Sequence, residues 1–556
     1  TAARWLAAAL RLLPPTAGAE RRLALLIPLA VSLGAVGRVE ESRAALAESL
    51  QLMPENLPVI RGRVIAATAY LDHLLGRHGV ARELLHTSLE QLQDQGSKGA
   101  TALKLELAVD YWLASDWNAM AVPAREALAA ARKLGDRPMQ AHAAALVAVG
   151  ENHRGAVGRG AELVGEAGRV VDRASDVELA NRIEVFLTLG FAECGVERFH
   201  DAARHLARGT AISRATGQGA WLGPLVNLHG TANLLLGELG EASELAETAM
   251  ESALLGGDQP LVWALTLRCW LSLLQGDLAA AVEAGERALE IRERVPSTFY
   301  HWLAACTLAA VRIESGQPAR GREEILREGG DDALTAFEPS WRPHWWAALG
   351  HAELGLGRVD AAEAWVERSE AGAEALALPG QIGEAGRARA ALSLAREDAA
   401  AAAGQAQDAA ERLEEAGRRI DAARARALAG RALAEAGGRE RAVRELERAY
   451  SQLAASGAEG YRDEAARDLR RLGRRVPSAT RSAPGEAGLV GLDEDERELS
   501  RLVARGLTNR EIAARVFVSE KTVERRLTGI FRRLGLSARA ELATLAERER
   551  LRSDPE

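Results

Sequence analysis

Apolar positions keep a helical period along almost the whole chain, and they break at turns that recur at a fixed interval. The stretch LLQGDLAAAVEAGERALE, from Leu273 to Glu290, shows the unit: an apolar run, a Gly, then a second run with apolar residues three and four apart. Turn residues stand at Gly37, Gly76, Asp116, Gly155, Gly195, Gly237, Gly276, Gly316, Gly357, Glu397 and Gly437, 39 to 42 positions apart. A period of this size predicts stacked helix–turn–helix units, each burying its apolar face against its neighbours. Seven positions before the turn a small residue is usual (Ala30, Ala69, Ala148, Ala309, Ala390). Five after it come Ser42, Ala81, Ala121, Ala242, Ala281 and Ala362, and twelve after it Ser49, Ser88, Ala167, Ala249 and Ala288. Small side chains there let two antiparallel helices, and the next pair, approach closely. His200, Leu128 and Glu328 break the rule and mark units whose turn is displaced. No period-two strand pattern occurs before Gly473. The predicted fold class is all-α, with about eleven helix pairs of ~40 residues over residues 1–473.

After Gly473 the period stops. Residues 474–491, RRVPSATRSAPGEAGLVG, read as a flexible linker that would span about 23 Å r.m.s.. Residues 492–556 then form a second domain with four helical patterns. The first ends at Gly506, a C-cap residue. The second opens on TNRE, where Thr508 and Glu511 make a capping box, and turns Ile512, Ala513 and Val516 inward. The third is capped by Ser519 and buries Val523, Leu527, Ile530 and Leu534, at intervals of four, three and four. The fourth starts after Ser537. Two helices joined by a tight turn, the second basic on its free face, form a helix-turn-helix, whose second helix suits the major groove.

Charge sharpens this picture. The chain carries a formal −8, yet the stretch from Arg501 to Ala540 carries ten basic and three acidic residues, which leaves −15 elsewhere. The positive end is where a phosphate backbone would bind, and double-stranded DNA is the expected partner. No run of about 18 uncharged apolar residues exists, so no membrane span or membrane partner is expected. Cys194, Cys269 and Cys306 are odd in number and far apart, which fits a reducing cytoplasm. The opening AARWLAAALRLLPP has no signal-peptide cleavage pattern. It reads as the second helix of a pair, and with no Met at its head the natural chain is expected to begin further upstream.

The segment ERELSRLVARGLTNREIAARVFVSEKTVERRLTGIFRRLGLSARAELA closely resembles the LuxR-type four-helix DNA-binding domain of bacterial regulators. That resemblance implies groove contacts from Lys521, Thr522, Glu524, Arg525 and Thr528, with the capping Ser519 and with Arg526, Arg532 and Arg533 of the same basic helix also at the DNA. It implies phosphate contacts near Thr508 and Asn509, a dimer seam near Leu542 and Leu545, and the transcription machinery as a further partner. Glu524 stands where the family often has Lys or Arg, and Arg526 where it commonly has His. Glu524 could accept a hydrogen bond from a cytosine amine, or be a solvated helix residue pairing with its neighbours, so the base preference stays open.

The helical array resembles the tetratricopeptide repeat family, though its period exceeds that family's 34 or so residues. Longer helices or longer loops would explain the difference. In that family the first helices of the pairs line a concave groove. Carried over, the groove positions hold Arg63, Tyr70, His142, Arg182, Asn227, Trp263, Thr266, Trp270, Cys306, His344, His351, Arg424 and Arg431. Trp263 with Trp270, and His344 with His351, are seven apart and share a helix face; with Thr266 they form the candidate site for a peptide, protein or small effector. Trp112 and Trp346 fall at core positions. No metal site is expected: His344 and His351 lack a carboxylate or Cys at ligand spacing, and His200 and His205 lie on different helix faces.

An array placed before such a domain resembles the C-terminal part of large ATP-binding LuxR-type regulators. No G-x-x-x-x-G-K-[ST] occurs here, since QGSKGA around Lys98 has the wrong spacing, so no cofactor is expected and ATP would belong to a region upstream. With neither a nucleophile elbow nor H-E-x-x-H, an enzyme is not expected. The expected function is sequence-specific transcription regulation by a homodimer whose array senses an effector. A helical-repeat scaffold or adaptor, and a fragment of an ATP-dependent switch that lacks the nucleotide site, are the alternatives.

Overall fold

The computed structural model describes residues 2–14, 16–34, 36–54, 58–294, 298–476, 492, 494–516, 520–534, 539 and 541–546. Most of the expected linker, Ser519 and Ser537 lie outside the described residues, as do the side chains of Lys521, Arg525, Arg532, Arg533 and Leu534. The chain divides into two compact units, Thr1–Gly473 and Arg474–Glu556.

Among the described residues the first unit contains eleven antiparallel helix pairs, from Ala19–Gly34 with Val39–Leu52 to Arg419–Glu435 with Arg439–Ser456. The helix Ala2–Leu12 precedes them and Glu459–Arg471 follows. Many helices run 17 or 18 residues, and the connections within pairs are short, whereas those between pairs range from the one residue between Gly256 and Asp258 to the long stretch between Gly329 and Arg342. Leu236 and Leu239, which end and begin consecutive helices, are separated only by Gly237 and Glu238. The extra length over a tetratricopeptide unit therefore lies in the helices and in the longer connections between pairs.

A residue in the left-handed conformation ends most first helices. Gly237, Gly276 and Gly357 do so with φ of 80°, 86° and 73°, where glycine has no Cβ penalty. Two of the predicted turns are displaced. In the Asp116 unit the left-handed residue is Ser115, and in the Gly195 unit it is Glu197. Counting from these puts Ala127 twelve after Ser115, and Ala202 and Gly209 five and twelve after Glu197, as the rule requires; five after Ser115 stands the larger Met120, and all four are buried. Gly195 is glycine for another reason, since a Cβ there would come within 2.9 Å of Asn152 Nδ2.

The pairs wind so that units about 150 to 185 residues apart touch. The Glu197 carboxylate accepts a 2.6 Å hydrogen bond from the Gly380 backbone N–H, at the start of the helix Pro379–Ala395. Arg419 donates to Glu238, and the Tyr70 and Trp221 rings stack at 4.8 Å. Gly276 meets Gly460 so closely that a Cβ would sit 2.6 Å from the Gly460 nitrogen. One apolar cluster joins Leu234, Leu267 and Leu271 to Ile420, Tyr461 and Ala465 across this contact. The inner face of the array carries several separate, partly open cavities. Cys306, expected on a groove, is instead fully buried in a core with Trp302 and Phe337. Trp112 is core, as its position predicted.

In the second unit the described helices are Glu494–Ala504, Asn509–Arg515 and Glu520–Leu534, with residues 541–546 also helical. Leu499, Leu502, Val503, Ile512, Val523, Leu527 and Ile530 close one core between them.

Candidate nucleic-acid interface and interior cavity

The second unit is organised around the turn before Asn509. Gly506 takes φ of 79°, and Thr508 is extended, with φ −72° and ψ 162°. The capping box is complete: Thr508 Oγ1 accepts from the Glu511 N–H at 3.3 Å, and Glu511 Oε2 accepts from the Thr508 N–H at 2.7 Å. That backbone N–H holds the Glu511 carboxyl below its ordinary pKa. Arg539 braces the same corner, donating to Asn509 Oδ1 at 2.7 Å and to the Leu507 carbonyl.

Val523, Leu527 and Ile530 fix which side of the helix Glu520–Leu534 faces inward. At about 100° per residue, positions 521, 524, 525, 528 and 532 fall on the opposite side. Among them the side chains of Glu524 and Thr528 are exposed, and Thr528 Oγ1 donates to the Glu524 carbonyl at 2.9 Å. Thr522 and Arg526 are half-buried on the flanks. Leu542 and Leu545 are placed otherwise than expected. Both are buried in this unit's own core and have no free apolar surface to offer as a dimer seam.

Residues 492–546 match the family described as bacterial regulatory proteins, luxR family. The C-terminal unit is a LuxR-type domain. Over 61 residues the chain is 44% identical to a protein named an HTH-type transcriptional regulator of Mycobacterium bovis, covering 11% of this chain and 7% of that one. Over 58 residues it is 41% identical to the DNA-binding transcriptional activator DevR/DosR of Mycobacterium tuberculosis, covering 10% of this chain and 27% of the relative. The chain therefore spans well under a third of these relatives' length, and the likeness lies in the LuxR-type domain. The array has its own likeness, to the Rap protein solved in complex with Competence and Sporulation Factor. That match has a TM-score of 0.51 at 12% identity and covers 64% of this chain and 99% of the Rap chain. At that identity it concerns the fold alone.

Within the array, Trp263, Thr266, Trp270, His344 and His351 all line one cavity of about 180 Å³. They stand on two helices, Asp258–Gln275 and Arg342–Gly355, and the helix Pro379–Ala395 adds Glu384 and Arg387 to the lining. Phe191, Trp302, Trp341 and Trp345 complete an aromatic wall that the groove positions did not include. The signal for these was weak in the sequence, because Trp302 and Trp345 are buried like any core tryptophan. Phe191 stacks on Trp263 at 5.7 Å and separates this cavity from a smaller one of about 90 Å³, which Tyr70, His142 and Asn227 line. Arg63 and Arg182 line a third, and Arg424 and Arg431 a fourth.

One end of the aromatic cavity is charged. Glu384 accepts from Arg387 at 2.7 Å and from Arg418 at 3.0 Å, and Arg418 pairs with Asp421 at 2.8 Å. Burial alone would raise the Glu384 pKa, but the two guanidiniums hold it well below the carboxylate range. Arg424 pairs with Glu314. Burial pushes His344 down to about 4 and His351 to about 3, so both imidazoles are neutral at pH 7. Among the described residues His344 Nδ1, His351 Nε2 and Trp345 Nε1 have no hydrogen-bond partner. Orphaned buried polar atoms beside an apolar wall are what a bound molecule with a polar edge would satisfy.

Proposed function

We propose that this protein is a cytoplasmic, DNA-binding transcriptional regulator that pairs on duplex DNA and takes an effector in the aromatic cavity of its array. The observation that carries the DNA-binding part is the capped turn at Thr508 followed by a helix whose apolar stripe is spent on the core. The face carrying positions 521, 524, 525, 528 and 532 is thereby left outward. A helix so placed enters the major groove, with Lys521, Thr522, Glu524, Arg525 and Thr528 toward base edges, and Ser519, Arg526, Arg532 and Arg533 alongside. Thr508 and Asn509 stand at the turn where a phosphate would approach the first N–H groups of the helix Asn509–Arg515. Two such heads would contact half-sites about one helical turn apart.

The effector part rests on the convergence of Trp263, Thr266, Trp270, His344 and His351 on one cavity with unpartnered polar atoms. Its chemistry suits a small, flat molecule with an apolar body and one hydrogen-bonding edge. DNA selected from a random pool by the full chain tests the first part. Arg532→Ala should weaken binding evenly across sequences and reduce the salt slope by about one. Replacement of Lys521 and Arg525 by Ala should remove discrimination between sequences; identical footprints from wild type and double variant would refute the groove assignment. Screening for quenching of tryptophan fluorescence, repeated with Trp263→Phe, tests the second part.

A further inference from the structure

A cluster in the first unit, outside the aromatic cavity, has the composition of a metal centre. His73 ends the helix Pro58–Leu74 region, His78 begins the helix His78–Glu90, and Asp110 stands on the helix Lys98–Leu113. One ligand atom from each lies within 4.8 Å of the others. His73 Nε2 is 3.1 Å and His78 Nδ1 3.5 Å from Asp110 Oδ1. Zinc at about 2.0–2.2 Å from nitrogen and oxygen ligands in a tetrahedral arrangement spaces those atoms about 3.3 Å apart.

The buried polar atoms are otherwise unsatisfied. No nitrogen of His73 or His78 has a well-directed hydrogen bond among the described residues, nor has Asp110 Oδ1. His73 and Asp110 are almost wholly buried, where an unmet polar group is costly. The other carboxylate oxygen, Oδ2, accepts from Arg82 Nε at 2.8 Å. That bond orients the carboxylate and leaves Oδ1 toward the imidazoles, the arrangement of a ligand held by a second shell.

We infer that His73, His78 and Asp110 bind one zinc-class divalent ion, with a coordination position left for water. The ion ties the first two helices of one pair's turn to the first helix of the next pair. His73 also lines the smaller apolar cavity, so the ion sits at that cavity's rim.

The test uses untagged full-length chain stripped with a chelator. Zinc is titrated against a chromophoric competitor, and cobalt(II) is added as a probe of coordination. We expect one equivalent of zinc per chain, the visible absorption of low-coordinate cobalt, and a rise in thermal midpoint with zinc. His78→Ala should abolish all three, and Arg82→Gln, which keeps the ligands, should weaken binding about 10- to 100-fold. His78 is at a helix start and only part-buried, so its variant is expected to keep the helical circular dichroism. Asp110→Asn repeats the test, and should it fail to fold, His78→Ala decides alone. No zinc uptake by the wild type, or equal uptake by His78→Ala, would overturn the inference.

Discussion

Glu106 makes the stability of the array depend on pH in a direction that can be calculated. It stands on the helix Lys98–Leu113, faces the smaller apolar cavity, and is buried. Burial, assisted by repulsion from Glu184 and opposed by Arg182, raises its pKa from 4.5 to about 8. In the unfolded chain the carboxyl titrates near 4.5; in the folded chain it keeps its proton to about pH 8. The folded state therefore binds the extra proton between these values, and stability falls as pH rises through that window. At about 1.4 kcal/mol per unit, the loss is about 3 kcal/mol at pH 7 and levels off near 4–5 kcal/mol above pH 8. Glu106→Gln keeps the shape and removes the titration. Urea unfolding of wild type and variant from pH 4.5 to 9 should give curves that diverge progressively, the variant becoming the more stable. Parallel curves across that range would rule out a raised Glu106 pKa, and a variant that lost stability relative to the wild type as pH rose would reverse the sign.

Other perturbations address the packing and the charged end of the cavity. Leu542→Ala should lower the hydrogen-exchange protection of residues 494–546 by about 2–5 kcal/mol, independently of protein concentration, because Leu542 lies in the unit's own core. A concentration-dependent loss would return it to a dimer seam. Glu384→Gln leaves Arg387 and Arg418 buried without their shared carboxylate, and should cost about 3–5 kcal/mol in urea unfolding. Gly209→Ala would place a Cβ 2.7 Å from the Phe186 side chain, and a destabilisation of about 1–3 kcal/mol is expected by thermal melting.

How much of this could be read along the chain follows from the range of each interaction. The turn glycines and small residues report contacts within one helix pair, and they located all eleven pairs. Ser115 and Glu197 escaped because a non-Gly residue took the left-handed position, while Gly195 was kept for its approach to Asn152. The capping box at Thr508 and the stripe from Val523 to Ile530 are local, and both were legible. The convergence of Trp263 with His344 and His351 was legible only as helix phase, since the winding of the array brings those helices to one cavity. The charged end of that cavity was not legible, because Glu384 and Arg418 lie 34 positions apart and ordinarily read as surface charges. His73 and His78 escaped for the same reason, as their carboxylate comes from the next pair. His205 stands between Glu193 at 2.8 Å and Asp172 at 3.2 Å, neither of them its neighbour in sequence. Leu542 and Leu545 show the opposite error, where the family resemblance placed at a seam two leucines that this fold spends on its own core.

The central claim is that the helix Glu520–Leu534 offers its outward face to the major groove. The most direct measurement is the affinity of the full chain for its own selected duplex and for a scrambled duplex of equal length, at about physiological salt. Binding to the selected duplex should be tighter by about 10³-fold or more, with that margin lost when Lys521 and Arg525 are replaced by Ala. Equal affinity for the two duplexes would contradict it.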